Sequence, residues 1–210
     1  ICDRHGILLI ADEVITGFGR TGKWFALGHW GVEPDLVSFA KGVTSGYLPL
    51  GGVIASKQVH EAIESAPADR KFMHAATYSG HPVCCAVGLR NVEIMEEEGL
   101  PERAAAMGRR LLAGLEGLRD LPAVGDVRGL GMMCGIELVT DRGTKTPALG
   151  LGPKITREAM ARGLLPRLRA GGADPAIGDT ICLAPPLMTP VDTLDRIPEI
   201  LREAITAAAG

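Results

Sequence analysis

Two kinds of apolar pattern alternate along the chain of 210 residues, and each predicts a different element. The uninterrupted runs Ile7–Ala11 and Asp35–Ala40 are typical of strands covered on both faces of a sheet, and Gly52–Ala55 predicts a third strand. A helix is predicted from Pro82, which suits a first helical turn, to about Glu98, because this segment is apolar early and charged late.

The second half of the chain continues the alternation. Steps of three and four residues predict an amphipathic helix with the stripe Leu100, Ala104, Met107, Leu111, Leu115 and Leu118. Strands are predicted in the glycine-punctuated stretch Val127–Val139 and in Leu164–Leu168 and Thr180–Ala184, with a helix over Lys154–Gly163. Thr189-Pro190 begins a last helix, whose inward stripe is Leu194, Ile197, Leu201 and Ile205.

This order of strands and helices predicts an α/β fold with a domain boundary near residue 98. Hydrophobic residues make up 46% of the chain and charged residues 22%, which are globular values. Lys and Arg number 22 against 25 Asp and Glu, and a net charge of −3 excludes a polybasic nucleic-acid binder or a cationic membrane-surface protein. No apolar run reaches the roughly 18 residues that span a bilayer.

The five cysteines include no Cys-x-x-Cys pair and no histidine at metal-ligand spacing, which argues against a disulfide framework or a metal site. Most of them lie in apolar sequence, which predicts buried, reduced thiols and a cytoplasmic location. These are Cys84, Cys85, Cys134 and Cys182.

A glycine-rich stretch, Gly17–Gly22, matches the G-x-G-x-x-G pattern and with Lys23 nearly forms a P-loop. The dinucleotide fingerprint needs its glycines at the strand-to-helix turn, whereas residues 13–16 intervene and no helix signal follows. Trp24 stands where a P-loop has the Ser or Thr that binds magnesium. We therefore interpret this stretch as a surface loop with an exposed Arg20 and Lys23.

Two opposite charges end the first two predicted strands. Asp12 follows one apolar run and Lys41 the other, so both are expected at the carboxyl ends of buried strands, the edge where open α/β sheets bind ligands. Residue type alone also allows a partly buried ion pair between Asp12 and Lys41.

The sequence around each charge resembles a known family. Leu9–Gly22 resembles the signature of class III aminotransferases, which are pyridoxal 5'-phosphate enzymes of fold type I. Ser38–Gly52 resembles the segment that holds their Schiff-base lysine, and Thr77–Pro82 is similar to a later phosphate-contact segment. The resemblance covers essentially the whole chain. It implies that residues 1–98 belong to the large, mainly parallel cofactor-binding domain and 99–210 form the small C-terminal α/β domain.

The resemblance also implies a role for each matched residue. Lys41 would form the aldimine with pyridoxal 5'-phosphate and, once displaced, move the proton as a free amine. Asp12 would hold the pyridinium N–H, and Val14 would pack on the ring, which is nearly the same statement as simple core packing. Thr77 would bind the cofactor phosphate of the partner subunit, which makes a homodimer with shared active sites obligatory; a helix cap is the alternative.

Substrate choice depends on fewer residues. Ile15 stands where several ω-amino acid enzymes of the family carry glutamine, so the chain resembles the amine or ω-amino acid:pyruvate branch. Arg167 aligns best with the arginine that binds a substrate carboxylate, with Arg169 as a rival and an exposed structural arginine as the alternative for either. His81, just before Pro82, is interpreted as a helix cap rather than an acid–base group.

Together these matches predict a transaminase that moves an amino group from an amine or ω-amino acid to a keto acid such as pyruvate. Family members carry a phosphate-binding loop and a ring-stacking aromatic residue upstream of the aspartate, whereas this chain begins close before Asp12. We therefore expect the C-terminal portion of an aminotransferase with little turnover alone. A racemase or aminomutase of the same family, or a non-catalytic binding or assembly domain, is the alternative.

Overall fold

The computed structural model describes residues 1–171 and 176–209 of the chain. It divides into two compact units, unit 1 (Ile1–Pro101) and unit 2 (Glu102–Gly210). The division falls in the first turn of a long helix, Leu100–Glu116. Strands and helices occur in both units, so the α/β class predicted from the sequence is confirmed.

Unit 1 contains a three-stranded sheet in the order β1-β2-β3. Its strands are β1 (Ile10–Asp12), β2 (Leu36–Phe39) and β3 (Gly52–Ala55). Its helices are α1 (Cys2–His5), α2 (Lys57–Glu64) and α3 (Pro82–Glu97), with 3₁₀ helices at Ala26–His29, Lys41–Thr44 and Ala68–Arg70. The β1–β2 pair is parallel and the β2–β3 pair is antiparallel. The family resemblance implies a mainly parallel sheet. The described part of unit 1 contains one parallel and one antiparallel strand pair.

The strands of unit 1 are not covered on both faces, and this part of the prediction is wrong. In β1 only Ala11 is buried, and Ile10 is 64% exposed. β2 is half-buried along its whole length. An apolar run shows what a strand can bury, but burial needs other elements across each face. Among the described residues, the main helix contact in unit 1 is that of α3 with the 3₁₀ helix Lys41–Thr44.

Unit 2 is built on an antiparallel sheet in the strand order β4-β5-β8-β7, with β6 beside β5. The strands are β4 (Val124–Leu130), β5 (Met133–Asp141), β6 (Thr146–Pro147), β7 (Arg167–Arg169) and β8 (Thr180–Leu183). The helices are α4 (Leu100–Glu116), α5 (Leu151–Ala161) and α6 (Val191–Ala209). The predicted glycine-punctuated strands therefore form the β4–β5 hairpin.

A single aliphatic core fills unit 2, and the helical stripes predicted from the sequence line it. The stripe of α6 is buried at Leu194, Ile197, Leu201 and Ile205. In α4, Gly108 lies so close to the hairpin turn that a Cβ atom would be 2.2 Å from the carbonyl carbon of Gly131. Only glycine permits this approach. Across the described residues, no helix is long and apolar enough to span a membrane.

Two smaller expectations need correction. All five cysteines are free, but only Cys134 is buried, and Cys85 is exposed on α3. His81 occupies the N-cap position of α3, yet its side chain makes no capping hydrogen bond. Its ring instead lies 6.1 Å from that of Tyr78, and its buried Nδ1 has no hydrogen-bond partner among the described residues.

Candidate active site

The parallel pairing of β1 and β2 places Asp12 and Lys41 at one edge of the sheet. Asp12 lies opposite Ser38, and Lys41 follows β2 two residues after its end at Phe39. Parallel strands end at the same edge, so the Asp12 carboxylate and the Lys41 amine belong to the same edge of the sheet. Both residues are exposed, and no ion pair between described residues joins them. The ion-pair interpretation of these charges is therefore wrong for this structure.

The Asp12 carboxylate is oriented through one of its oxygens. Oδ1 accepts a hydrogen bond from the backbone N–H of Val14 at 3.0 Å and a longer one from the Ser38 hydroxyl at 3.4 Å. No described residue donates to Oδ2, which stays available for a ligand. Sequence reasoning missed Ser38, because a serine within a short strand carries no signal until the register of the neighbouring strand is known.

The backbone of Lys41 is held in an unusual conformation. Its φ is +45°, and Ser45, which follows the 3₁₀ helix Lys41–Thr44, has a φ of +50°. A non-glycine residue in the left-handed region costs about 1–3 kcal/mol, and such strain concentrates at functional sites. Lys41 Nζ makes no hydrogen bond or ion pair with any described residue. Beside it lies a concavity of about 380 Å³, lined by Lys41, Thr44 and residues 46–50.

The glycine-rich loop Gly17–Gly22 supports the lysine segment. A Cβ on Gly42, next to Lys41, would lie 2.8 Å from Cβ of Phe18, so this residue packs directly on the loop. The Phe18 ring makes edge contacts with Phe25 and Phe39, at centroid distances of 5.6 and 5.8 Å. The loop continues in turns with no helix opening at its end, as a dinucleotide fingerprint or P-loop would require. The loop therefore packs against the segment that carries Lys41.

Charged residues of this loop region are more buried than the sequence suggests. Arg20, expected to be exposed, is half-buried, and this burial lowers the pKa of its guanidinium group. Glu13 is 2% exposed. Its carboxylate accepts hydrogen bonds from the Thr16 hydroxyl at 2.5 Å and from the Leu27 backbone N–H at 3.0 Å. Glu13 thus hydrogen-bonds residues that precede and follow the loop. Lys23 is exposed, as expected.

Two predicted cofactor contacts lie outside regular elements. β1 ends at Asp12, so Val14 lies in the following turn and not in a strand. It is half-buried. Thr77 is exposed and begins the turn that immediately precedes α3, and no described residue bonds its hydroxyl. Its position before a helix N-terminus leaves the hydroxyl open to a ligand.

The two candidate carboxylate-binding arginines lie in unit 2. Arg167 and Arg169 are both exposed on β7, and because they are two residues apart they lie on the same face of the strand. Leu168 between them is half-buried. Residues 172–175, which follow soon after β7, lie outside the described residues, and both arginines stay candidates.

The family model for aminotransferase class-III matches residues 1–205 of this sequence. The chain belongs to the class III aminotransferases. This confirms the family inferred from the Asp12, Lys41 and Thr77 segments. Among the described residues of this class III chain, no cluster of His, Cys, Asp and Glu could hold a metal ion.

Other class III aminotransferases are similar to this chain. An uncharacterized aminotransferase, YhxA, of Bacillus subtilis (strain 168) is 44% identical over 206 residues, which are 97% of this chain and 45% of YhxA. The taurine–pyruvate aminotransferase of Rhodobacter capsulatus is 40% identical over 217 residues, covering 100% of this chain and 46% of that enzyme. This chain thus spans less than half the length of these curated relatives.

Solved structures of transaminases share the fold. A thermostable (S)-enantioselective omega-transaminase from Thermomicrobium roseum superposes with a TM-score of 0.89 at 46% identity, covering 100% of this chain and 45% of that one. An amine transaminase from an uncultivated Pseudomonas species, in its PLP-bound form, gives a TM-score of 0.86 at 42% identity, covering 99% and 45%.

Proposed function

We propose that the polypeptide carrying this chain is a pyridoxal phosphate-dependent aminotransferase that moves an amino group from an amine or ω-amino acid to a keto acid such as pyruvate. The observation that carries the proposal is the shared edge of β1 and β2, where Asp12 and Lys41 each keep a functional group unpaired among the described residues. The names of the taurine–pyruvate aminotransferase and the amine transaminase support these substrate classes.

The donor set at this edge fits pyridoxal phosphate. Asp12 Oδ2 can accept a hydrogen bond from a ring N–H, and the primary amine of Lys41 can react with an aldehyde. Pyridoxal phosphate carries both of these groups. When bound, the cofactor supplies a ring that accepts the negative charge left on the substrate carbon after proton loss. The half-buried Val14, two residues after Asp12, would pack on the ring.

The protein's own residues then divide the work. Asp12 keeps the ring nitrogen protonated, since a carboxylate fixed through Oδ1 favours a proton on its partner. Lys41 Nζ would act as the base that takes the proton from Cα of the amino donor and later returns it; arginine could not, because it stays protonated. Thr77 would donate its hydroxyl to the phosphate bound in a second copy of the protein, which requires a homodimer.

The remaining assignments concern the second unit and the rest of the polypeptide. Arg167, with Arg169 as its rival, would bind a substrate carboxylate as a bidentate partner. Residues 1–98 would belong to the large cofactor-binding domain and residues 99–210 would form the small domain. Because the relatives that share this stretch are matched over only 45–46% of their length, we expect little turnover from the 210 residues alone.

Covalent trapping tests the assignment of Lys41. The full native polypeptide that carries this sequence is mixed with pyridoxal phosphate, reduced with borohydride and digested for mass spectrometry. We expect the cofactor mass on Lys41, its loss in Lys41→Gln, and no change in Lys23→Gln, which removes a nearby exposed lysine of unit 1. A reduced cofactor on any other lysine, or none in the wild type, contradicts the proposal.

Product analysis separates the transaminase from an isomerase of the same family. With an amine and pyruvate as substrates, we expect one alanine formed for each amine consumed, and less than about 10⁻³ of the wild-type rate in Lys41→Gln. Trapping on Lys41 without alanine, together with racemised or rearranged donor, would favour a racemase or aminomutase.

A further inference from the structure

One side chain of helix α3 reaches the turn that carries the candidate catalytic lysine. The Asn91 amide nitrogen donates to the backbone carbonyls of Gly42 and Val43, at 3.0 and 3.1 Å. The Asn91 amide oxygen accepts a hydrogen bond from the Ser45 hydroxyl at 2.7 Å. A single amide therefore bonds three of the four residues that follow Lys41 in the chain.

The orientation of this amide is fixed by its partners. Carbonyl oxygens can only accept, so the group facing Gly42 and Val43 must be the NH₂ of Asn91, and the oxygen must face Ser45. Both hydrogens of the NH₂ are thereby used, and its contact with the sulfur of Met95 at 3.6 Å is a weak addition. The amide gives the Val43 carbonyl a donor that the short 3₁₀ helix does not supply, and it adds a second donor to the Gly42 carbonyl.

The packing of α3 makes this contact close. Gly88, Asn91 and Met95 are spaced three and four residues apart and share one face of the helix. Gly88 and Met95 are the buried residues of α3. A Cβ on Gly88 would lie 2.8 Å from Cδ2 of Leu50, a residue that lines the concavity beside Lys41. The helix face that bears Asn91 is therefore pressed against the lysine segment.

Both ends of that segment have left-handed backbone conformations, at Lys41 and Ser45. The hydrogen bonds within it are long, at 3.3 Å from the Val43 N–H to the Ala40 carbonyl and 3.3 Å from the Ser45 N–H to the Gly42 carbonyl. These two backbone hydrogen bonds are longer than usual and therefore stabilise the segment only weakly. Asn91 supplies a rigid external support from a regular helix.

We propose that Asn91 is a positioning residue for Lys41: its amide fixes the backbone of residues 42–45 and so aims the lysine amine at the cofactor and substrate. The inference rests on the proposed function, since it assigns Lys41 as the reacting amine. Asn91 touches no reacting atom itself and acts only through the lysine segment.

The test compares Asn91→Leu, Asn91→Asp and the control Arg90→Gln in the full native polypeptide loaded with pyridoxal phosphate. Asn91→Asp keeps an acceptor for Ser45 but removes both donors. Arg90 is the preceding residue of α3, and among the described residues its side chain bonds only Glu93 and Glu97, both on the same helix. For both Asn91 variants we expect kcat to fall about 10–100-fold, with KM for the amine and bound cofactor within about threefold of wild type.

A second readout does not depend on activity. In the cofactor-free protein, hydrogen exchange of peptides covering residues 40–47 should accelerate about tenfold or more in both Asn91 variants, and stay unchanged in Arg90→Gln. In the loaded protein, the pH midpoint of the bound cofactor's visible absorption should shift in the Asn91 variants only, because the amine no longer holds its place relative to the ring.

The outcomes separate the two proposals. If wild-type Lys41 is trapped by borohydride but both Asn91 variants keep kcat and the absorption midpoint of Arg90→Gln, the positioning role is wrong and the proposed function stands. A kcat loss that only follows a proportional loss of bound cofactor also overturns it, because that is a structural effect. If wild-type Lys41 is never trapped, the proposed function fails and the positioning role fails with it.

Discussion

The two units of the chain differ in where their apolar side chains lie. Among the described residues, 22 of the buried hydrophobic residues belong to unit 2 and only 4 to unit 1, Ala11, Val43, Met95 and Leu100. The large exposed hydrophobic residues show the reverse, with 15 in unit 1 and 6 in unit 2. The unit that carries the candidate active site is thus the one with the smaller core.

The kind of packing differs as well. All eight aromatic residues of the sequence, from Phe18 to Tyr78, lie in unit 1, whereas the core of unit 2 is aliphatic. Unit 2 gains its stability from buried area. Around Lys41, a few directed contacts do the positioning instead: the Phe18 cluster, the Glu13 carboxylate and the Asn91 amide. Directed contacts need little buried area, so we expect the loss of a single one to affect the site more than the loss of one of many core contacts.

The largest effect expected from this contrast concerns two leucines on helices. Leu201 of α6 is 0% exposed, and Leu89 of α3 is 63% exposed. We expect Leu201→Ala to lower the free energy of unfolding of unit 2 by about 2–5 kcal/mol, because it leaves a cavity in the core. Leu89→Ala, the matched control, should change the stability of unit 1 in this chain by about 0.5 kcal/mol or less.

The aromatic distribution allows the two units to be followed separately. Trp24 and Trp30 report by fluorescence on unit 1 alone, while hydrogen exchange of α6 peptides reports on unit 2. Equal destabilisation by Leu201→Ala and Leu89→Ala in urea titrations would contradict the difference in core size between the units.

A second prediction uses one cysteine from each unit. Burial raises the pKa of the Cys134 thiol of unit 2 to about 11, whereas Cys85 of unit 1 is exposed. Because the thiolate is the reactive species, we expect iodoacetamide near neutral pH to modify Cys85 at least about 100-fold faster than Cys134. Peptide mass spectrometry measures both rates. In denaturant the two rates should converge, and equal rates in the native protein would contradict the buried core of unit 2.

The smallest effect concerns a surface ion pair of unit 2. Arg110 donates to both carboxylate oxygens of Asp195, at 2.6 and 2.7 Å. The hydrogen bonds from Arg110 and the positive charge of its guanidinium group lower the pKa of Asp195, and they outweigh the opposite effect of desolvation. A carboxyl group whose pKa is lower in the folded state stabilises the fold above its unfolded pKa, and that contribution disappears as the pH falls through the folded pKa.

We therefore expect Asp195→Asn to lower Tm by about 2 °C near pH 7, since exposed pairs contribute little. Differential scanning calorimetry should show this difference shrinking as the pH is lowered below about 4 and Asp195 becomes protonated. A difference that grows in acid would have the wrong sign. High salt should reduce it at neutral pH.

Much of unit 2 could be predicted from the sequence, and less of unit 1. The apolar stripes of α4 and α6 follow from local periodicity. A helix repeats every 3.6 residues, so apolar residues three and four positions apart mark its buried face. In unit 1, the positions of the strands were also found, but their burial was not, since covering a strand depends on elements far away in the chain. α2 was not predicted, although Ser56 caps it.

For the candidate site, the sequence by itself determined which residues are candidates, and the tertiary structure decided how they are arranged. Asp12 and Lys41 became candidates because each ends an apolar run, which is a local signal, and the resemblance to class III aminotransferases implied their roles. The parallel register that sets Asp12 opposite Ser38, and the reach of Asn91 across 49 residues to Gly42, were decided only by the tertiary structure. Hydrogen bonds between distant residues leave no periodic pattern in the sequence, because they arise only once packing has brought the two segments together.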